Sequence, residues 1–130
     1  MNLIKIKNLG NIDINELYKE VKTENADKIG CVVSFTGIVR ENTRGRITRE
    51  LHWGLDKNTE NKLKQIADEE CLREGILNIL IHHNTDDLKA RAEVVYILVA
   101  AEHRIEGFEC LMNIIDRIKD EVHIDMVEKN

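Results

Sequence analysis

The segment Glu93–Ala101 sets the first limit on the fold, because Val94, Val95, Tyr96, Ile97, Leu98 and Val99 follow one another without a polar interruption. A strand with one wet face alternates apolar and polar residues, whereas a continuous β-branched run suits a strand covered on both faces. The segment is therefore expected to be a central strand. Ile76–His82 is a second strand candidate, apolar with β-branched residues, and Cys31–Phe35 a third, a β-rich run ended by Gly37.

Around these strands the punctuation is clear. Asp13 precedes Ile14, Leu17 and Val21, which share a helical face, and Glu16 follows it by three residues, so a capped helix is predicted there. Asp56 is placed to cap a second helix in which Leu63, Ile66, Ala67 and Cys71 recur at helical spacing, ending near Gly75. A last helix starts near Arg104, with Ile105, Phe108, Leu111, Met112, Ile115, Ile118 and Val122 as its apolar stripe. Residues 2–7 alternate like a strand, Asn42–Arg46 reads as a turn, and Ile47–Trp53 as a returning strand. Strands and helices mix without strict βαβ order, which predicts an α+β fold with a mostly antiparallel sheet.

Length and composition narrow the class. The 130 residues suit one domain, residues 1–130, with one core. No repeat, linker or low-complexity tract divides them. The longest apolar stretch falls well short of the roughly 20 residues that span a bilayer, and the N-terminus lacks the apolar block of a secretory signal, so no membrane role and a cytoplasmic setting are expected. Cys31, Cys71 and Cys110 are far apart, with no C-x-x-C pair, and are expected to be buried or inert thiols rather than disulfide or zinc ligands. The net charge of −5 argues against nucleic-acid binding, which needs clustered Lys and Arg. The exception is local: Arg40, Arg44, Arg46 and Arg49 face only Glu41 and Glu50, a basic stretch able to attract a small phosphate ester or simply a solvated loop.

Three cationic stations stand out. Arg40 closes the run Phe35-Thr36-Gly37-Ile38-Val39, His103-Arg104 closes the central strand, and Lys119 lies late on the last helix. His103-Arg104 falls at a helix N-terminus, whose free N–H groups and positive dipole end favour anions. The alternative is that Arg104 pairs with Glu102 or Glu106 at the surface, and that Lys119 is one more solvated charge beside Asp116 and Asp120. His82 and His83, adjacent on a strand, point to opposite faces and make no metal pair. His52 and His123 lack Cys or His partners, so all five histidines are read as non-metal. No Walker loop, G-x-G-x-x-G, G-x-S-x-G or H-E-x-x-H occurs. What remains is an anion pocket with neither metal nor built-in cofactor.

The run Gly30–Arg40, the strand ending in His103-Arg104, Phe108, and Ile115-Asp116-Arg117-Ile118-Lys119 together resemble the large, catalytic subunit of molybdopterin synthase, across roughly residues 30–128. The resemblance implies an α/β hammerhead-like fold, a homodimer, and two copies of a small ubiquitin-like sulfur carrier with a C-terminal Gly-Gly, making a heterotetramer. It implies a transferase of molybdenum cofactor biosynthesis, passing sulfur from the carrier thiocarboxylate to cyclic pyranopterin monophosphate. By motif match, Lys119 is implied as catalytic, and Ile38, Val39, Arg40, His103, Arg104, Met126 and Glu128 as substrate-binding.

Departures from the pattern open a second reading. The family usually continues after its first lysine with a proline, an aromatic and a second lysine seven positions on, where this chain has Met126. Its H-R-x-G turn is here His83-Asn84-Thr85-Asp86, its Pro-Gly is Ala90-Arg91, and its polar C-terminal tail has no counterpart before Asn130. Lys129 is a nearby substitute for the second lysine. The alternative is a diverged, catalytically impaired homologue that dimerises and binds a carrier tail or pterin-like anion. An unbroken last helix would separate Arg104 from Lys119 by about 22 Å at about 1.5 Å per residue. One chain would then not converge both on one small ligand, and a pocket shared between two copies is expected.

Overall fold

The apolar run forms strand β8 (Glu93–Ala101), paired antiparallel with β2 (Cys31–Ile38) on one side and β6 (Ile76–His83) on the other. With β1 (Asn2–Ile6) added parallel to β6, the sheet order is β1-β6-β8-β2. These coordinates are a computed structural model that describes residues 2–6, 13–122 and 124–129. His123 therefore lies outside the described residues, as does Lys7 at the end of the expected first strand.

The unbroken apolar character of β8 has a direct cause. Ile97, Val99 and Ala101 face a core with Ile79 and Ile81 of β6, closed by helices α2 (Lys57–Glu70) and α3 (Arg104–Glu121). Tyr96, Leu98 and Ala100 face the other way, against Leu17 and Val21 of helix α1 (Ile14–Val21). Both faces are dry, so neither tolerates a charge.

The helix starts follow from their caps. Asp13 Oδ1 accepts from the Asn15 N–H at 2.9 Å. Asp56 accepts from the Thr59 N–H at 3.0 Å while the Thr59 hydroxyl faces the Asp56 N–H, a reciprocal box that also holds the Asp56 carboxyl below its ordinary range. Helix α2 is then fixed to α3 by charge. Arg117 donates to Glu69 at 2.6 Å, to Glu70 at 3.2 Å and to Glu121 at 2.6 Å, and Asn113 donates to Glu70 at 2.8 Å. Cys110, at the centre of this packing, is fully buried and its thiol is pushed up to about 12 by desolvation first and by Glu70 second, which makes it inert. Cys31 and Cys71 are half-buried and in no disulfide, and the Cys71 thiol faces the Leu77 carbonyl at 3.5 Å.

Three features differ from the sequence reading. Residues 42–47 form a small hairpin, β3 (Asn42–Thr43) and β4 (Arg46–Ile47), turning through Arg44 and Gly45, both at positive φ. The returning strand breaks after it and resumes as β5 (Glu50–Gly54). That strand is the centre of a second sheet, β7-β5-β9, in which β7 (Asp86–Lys89) and β9 (Asp125–Lys129) were not anticipated. Finally, the buried face of α3 is Gly107, Cys110, Leu111 and Ile114, while Ile105, Phe108 and Met112 of the expected stripe are exposed. Gly107 explains the rotation: an added Cβ would stand 3.4 Å from Ala101 Cβ and 3.5 Å from Val33 Cγ2, so the helix sits close to the sheet on its small residues.

Candidate functional site

A cavity of about 310 Å³ opens where the two sheets and the C-terminal half of α3 meet. Phe35, Gly37 and Ile38 of β2 and Val94, Val95 and Ile97 of β8 form one side. Ile115, Ile118 and Lys119 of α3 form another, and Trp53 of β5, His83 of β6, Ile124 and Met126 of β9 complete it. Among the described residues of the lining, Lys119 is the one ammonium or guanidinium, in a surface that is otherwise mostly apolar.

Local backbone geometry shapes this space. The β2–β8 register shifts between Gly37 and Ile38, and a Cβ on Gly37 would come within 2.9 Å of Val95 Cγ1, so only glycine lets β2 bend past β8 there. The bend turns Val39 inward, where it is buried with Leu88 and Val94, and leaves Ile38 exposed at the cavity edge. Met126 is the direct cross-strand partner of Trp53, and Glu128 that of Leu51. Glu128 accepts from the Thr48 hydroxyl at 3.0 Å and pairs with Arg46, tying the basic hairpin to the strand that carries Met126.

The sequence-derived residues thus fall into groups. Lys119, Ile38 and Met126 share the cavity. Val39 packs behind it, and Glu128 holds its frame. Arg40 is exposed just beyond Val39, outside the lining. His103 and Arg104 are exposed at the far end of α3, which runs unbroken from Arg104 to Glu121 and so separates Arg104 from Lys119 by about 22 Å. The His103 side chain makes no capping hydrogen bond. Lys129 carries no described side chain, and the described residues hold no cluster of metal-ligating groups.

Two lining residues with polar groups, His83 and Trp53, escaped the sequence reading. The His83 ring is buried, its centroid 5.5 Å from the Trp53 ring, and Nδ1 lies 2.7 Å from the Asn84 carbonyl oxygen. A carbonyl only accepts, so Nδ1 carries the proton and Nε2 is the unprotonated nitrogen of the neutral ring. Burial holds the His83 pKa below its ordinary value, opposed by the Asn84 bond and aided by His82. The Trp53 indole N–H is buried and meets no acceptor among the described residues. The one available signal was the alternation of β6, which sends His83 to the face opposite His82; nothing in the spacing tied that face to Lys119.

Comparison with known proteins bears on the family and the fold. The family model described as MoaE protein matches residues 9–121. A probable molybdopterin synthase of Haloferax volcanii is 37% identical over 98 residues, which is 73% of this chain and 38% of that protein. The molybdopterin synthase catalytic subunit of Escherichia coli is 33% identical over 97 residues, 72% of this chain and 63% of that one. The chain thus spans less than two thirds of the length of these relatives. Among solved structures, molybdopterin synthase from Staphylococcus aureus superposes with a TM-score of 0.82 at 31% identity, covering 98% of this chain and 89% of the other. A complex of subunits 1 and 2 of the molybdopterin-converting factor from Helicobacter pylori shares the fold, with a TM-score of 0.75 at 16% identity over 98% of this chain and 83% of that one. The chain belongs to the MoaE protein family, the molybdopterin synthase catalytic subunits of molybdenum cofactor biosynthesis.

Proposed function

We propose that this chain transfers sulfur from the C-terminal thiocarboxylate of a small ubiquitin-like carrier to cyclic pyranopterin monophosphate, forming molybdopterin. The observation that carries the reading is Lys119, the single Lys or Arg among the described residues of a mostly apolar cavity whose edge is formed by Ile38 and Met126. An extended Gly-Gly tail has no side chains to clash with such a lining, and its terminal anion would find a single positive partner there. As sulfur attacks carbon and the cyclic phosphate opens, negative charge develops on oxygen. A fixed ammonium beside it lowers the barrier, by several kcal/mol at most.

The distribution of the other cations supports a site built by two copies. His103 and Arg104 lie too far along α3 to reach the cavity of their own chain, so in this reading they serve the cavity of a second one. Ile105, Phe108 and Met112, exposed along the same helix, give that second copy an apolar surface to cover. Arg40 and the partner's cations would then hold the phosphate while Lys119 faces the carrier tail.

Incubation with a thiocarboxylated carrier and the pterin precursor tests the reading: product forms, and Lys119→Ala abolishes it. Absence of product with tight binding of both ligands would overturn it in favour of a diverged homologue that binds without turnover. Met126 is the observation that favours this second reading, since a thioether stands on the cavity where the resemblance calls for a second lysine. Restoring that charge with Met126→Lys separates the two, a large gain in turnover marking the native site as impaired.

A further inference from the structure

Sulfur transfer from a thiocarboxylate leaves a chemical debt. Once the sulfur has bonded to the acceptor carbon, it is still bonded to the carrier's acyl carbon as a thioester, and release needs water at that carbon. The described lining offers one neutral nitrogen base for this, the His83 imidazole, fixed as the Nδ1–H tautomer by the 2.7 Å bond to the Asn84 carbonyl.

We propose that His83 is the general base of this second step, with Nε2 taking a proton from the water that attacks the carrier's acyl carbon; the inference rests on the sulfur-transfer reading. An O–H bond of water breaks, its proton going to Nε2 and its electron pair forming the new C–O bond. The C–S bond then breaks, its electron pair leaving on sulfur as the product thiolate. The carrier departs as a carboxylic acid that ionises in solvent, and the imidazolium returns its proton to bulk water. Lys119, on the same cavity, stabilises first the tetrahedral oxyanion and then the thiolate.

The surroundings of His83 suit a base. Burial keeps the ring neutral near pH 7. Of the titratable groups on the elements around it, Lys119 of α3 shares the cavity and His82 opposes its protonation. Glu93 of β8 has an exposed side chain that acts on Tyr96, and its carbonyl accepts from Asn84. His52 and Asp87 of β5 and β7 pair with each other at 2.7 Å. Among the described residues, burial, the Asn84 bond and His82 act on the His83 ring, and no carboxylate does so to hold it as an imidazolium.

The test compares wild type with His83→Gln and His83→Asn, supplied with thiocarboxylated carrier and pterin precursor. We expect turnover to fall by about 10²–10⁴-fold, the range of a lost general base. The carrier–pterin thioester should accumulate by intact-protein mass spectrometry, the acid limb of the pH–rate profile should vanish, and carrier affinity by calorimetry should stay within about threefold of wild type. Equal turnover, an unchanged acid limb, or slow turnover without the adduct overturns the assignment. If both variants fail to fold, ¹⁵N spectra of the wild-type histidines decide: a His83 ring protonated on Nε2 at pH 7 overturns it, and an unprotonated Nε2 with adduct build-up below pH 6 upholds it. A wild type that yields neither product nor adduct defeats the sulfur-transfer reading, and the role of His83 falls with it.

Discussion

Helix α3 has two polar faces with opposite habits. Toward α2, Arg117 is held by Glu69, Glu70 and Glu121, and Glu70 also meets Arg73 and Asn113. Two residues on, Lys119 faces the cavity among hydrocarbon side chains, and no ion pair joins it to another described residue. The same helix thus spends one cation on the fold and leaves another for a ligand. A cation whose charge is already matched has no binding energy left to give, whereas one facing an apolar cavity acts on whatever anion enters.

Substitutions can break this contrast or sharpen it. The largest effect is expected at Lys119→Ala, which should remove turnover in the carrier–pterin assay while the thermal midpoint stays within about 2 °C, because an exposed side chain holds little stability. Arg117→Ala should do the reverse. It strips the buried Glu70 of one of its partners, leaving Asn113 and Arg73, at a cost of about 1–3 kcal/mol, read from urea unfolding, with turnover per folded molecule unchanged. If Arg117→Ala lowered turnover and not stability, the division between the two faces would fail.

A third effect depends on pH. Because burial depresses the His83 pKa below 6.5, the unfolded chain binds more protons than the native one as pH falls through that value. Stability is then fully present above about pH 6.5 and declines below it, toward the depressed native value. Thermal midpoints from pH 7.5 to 5 should fall less steeply in His83→Gln than in wild type. The smallest effect is expected from Arg46→Ala, whose exposed pair with Glu128 is worth no more than about 1 kcal/mol. Loosening of the hairpin should appear as faster amide exchange at residues 42–47 rather than as a shifted midpoint.

The central strand and all three helices were legible in the sequence because their causes are local: an uninterrupted β-branched run, and Asp13 and Asp56 as caps. The second sheet was not. Asp86-Asp87 are poor strand formers, and β7 and β9 exist because β5 pairs with both across large sequence distances. The stripe on α3 misled because periodicity weighs large residues, whereas the sheet receives the small ones, Gly107 and Cys110, which allow closer approach. At the site, motif and resemblance brought out Lys119, Ile38 and Met126, which share the cavity. His83 and Trp53 come from other strands, and only the tertiary structure sets them beside Lys119.

Trp53 is the only tryptophan in the chain, and it lies on the cavity across the strand from Met126. Its indole N–H sits in a dry setting without an acceptor among the described residues. Any guest that offers an oxygen or displaces solvent there alters the polarity around the ring. The emission spectrum of the unlabelled protein is therefore an intrinsic gauge of occupancy, free of interference from a second fluorophore of the same kind.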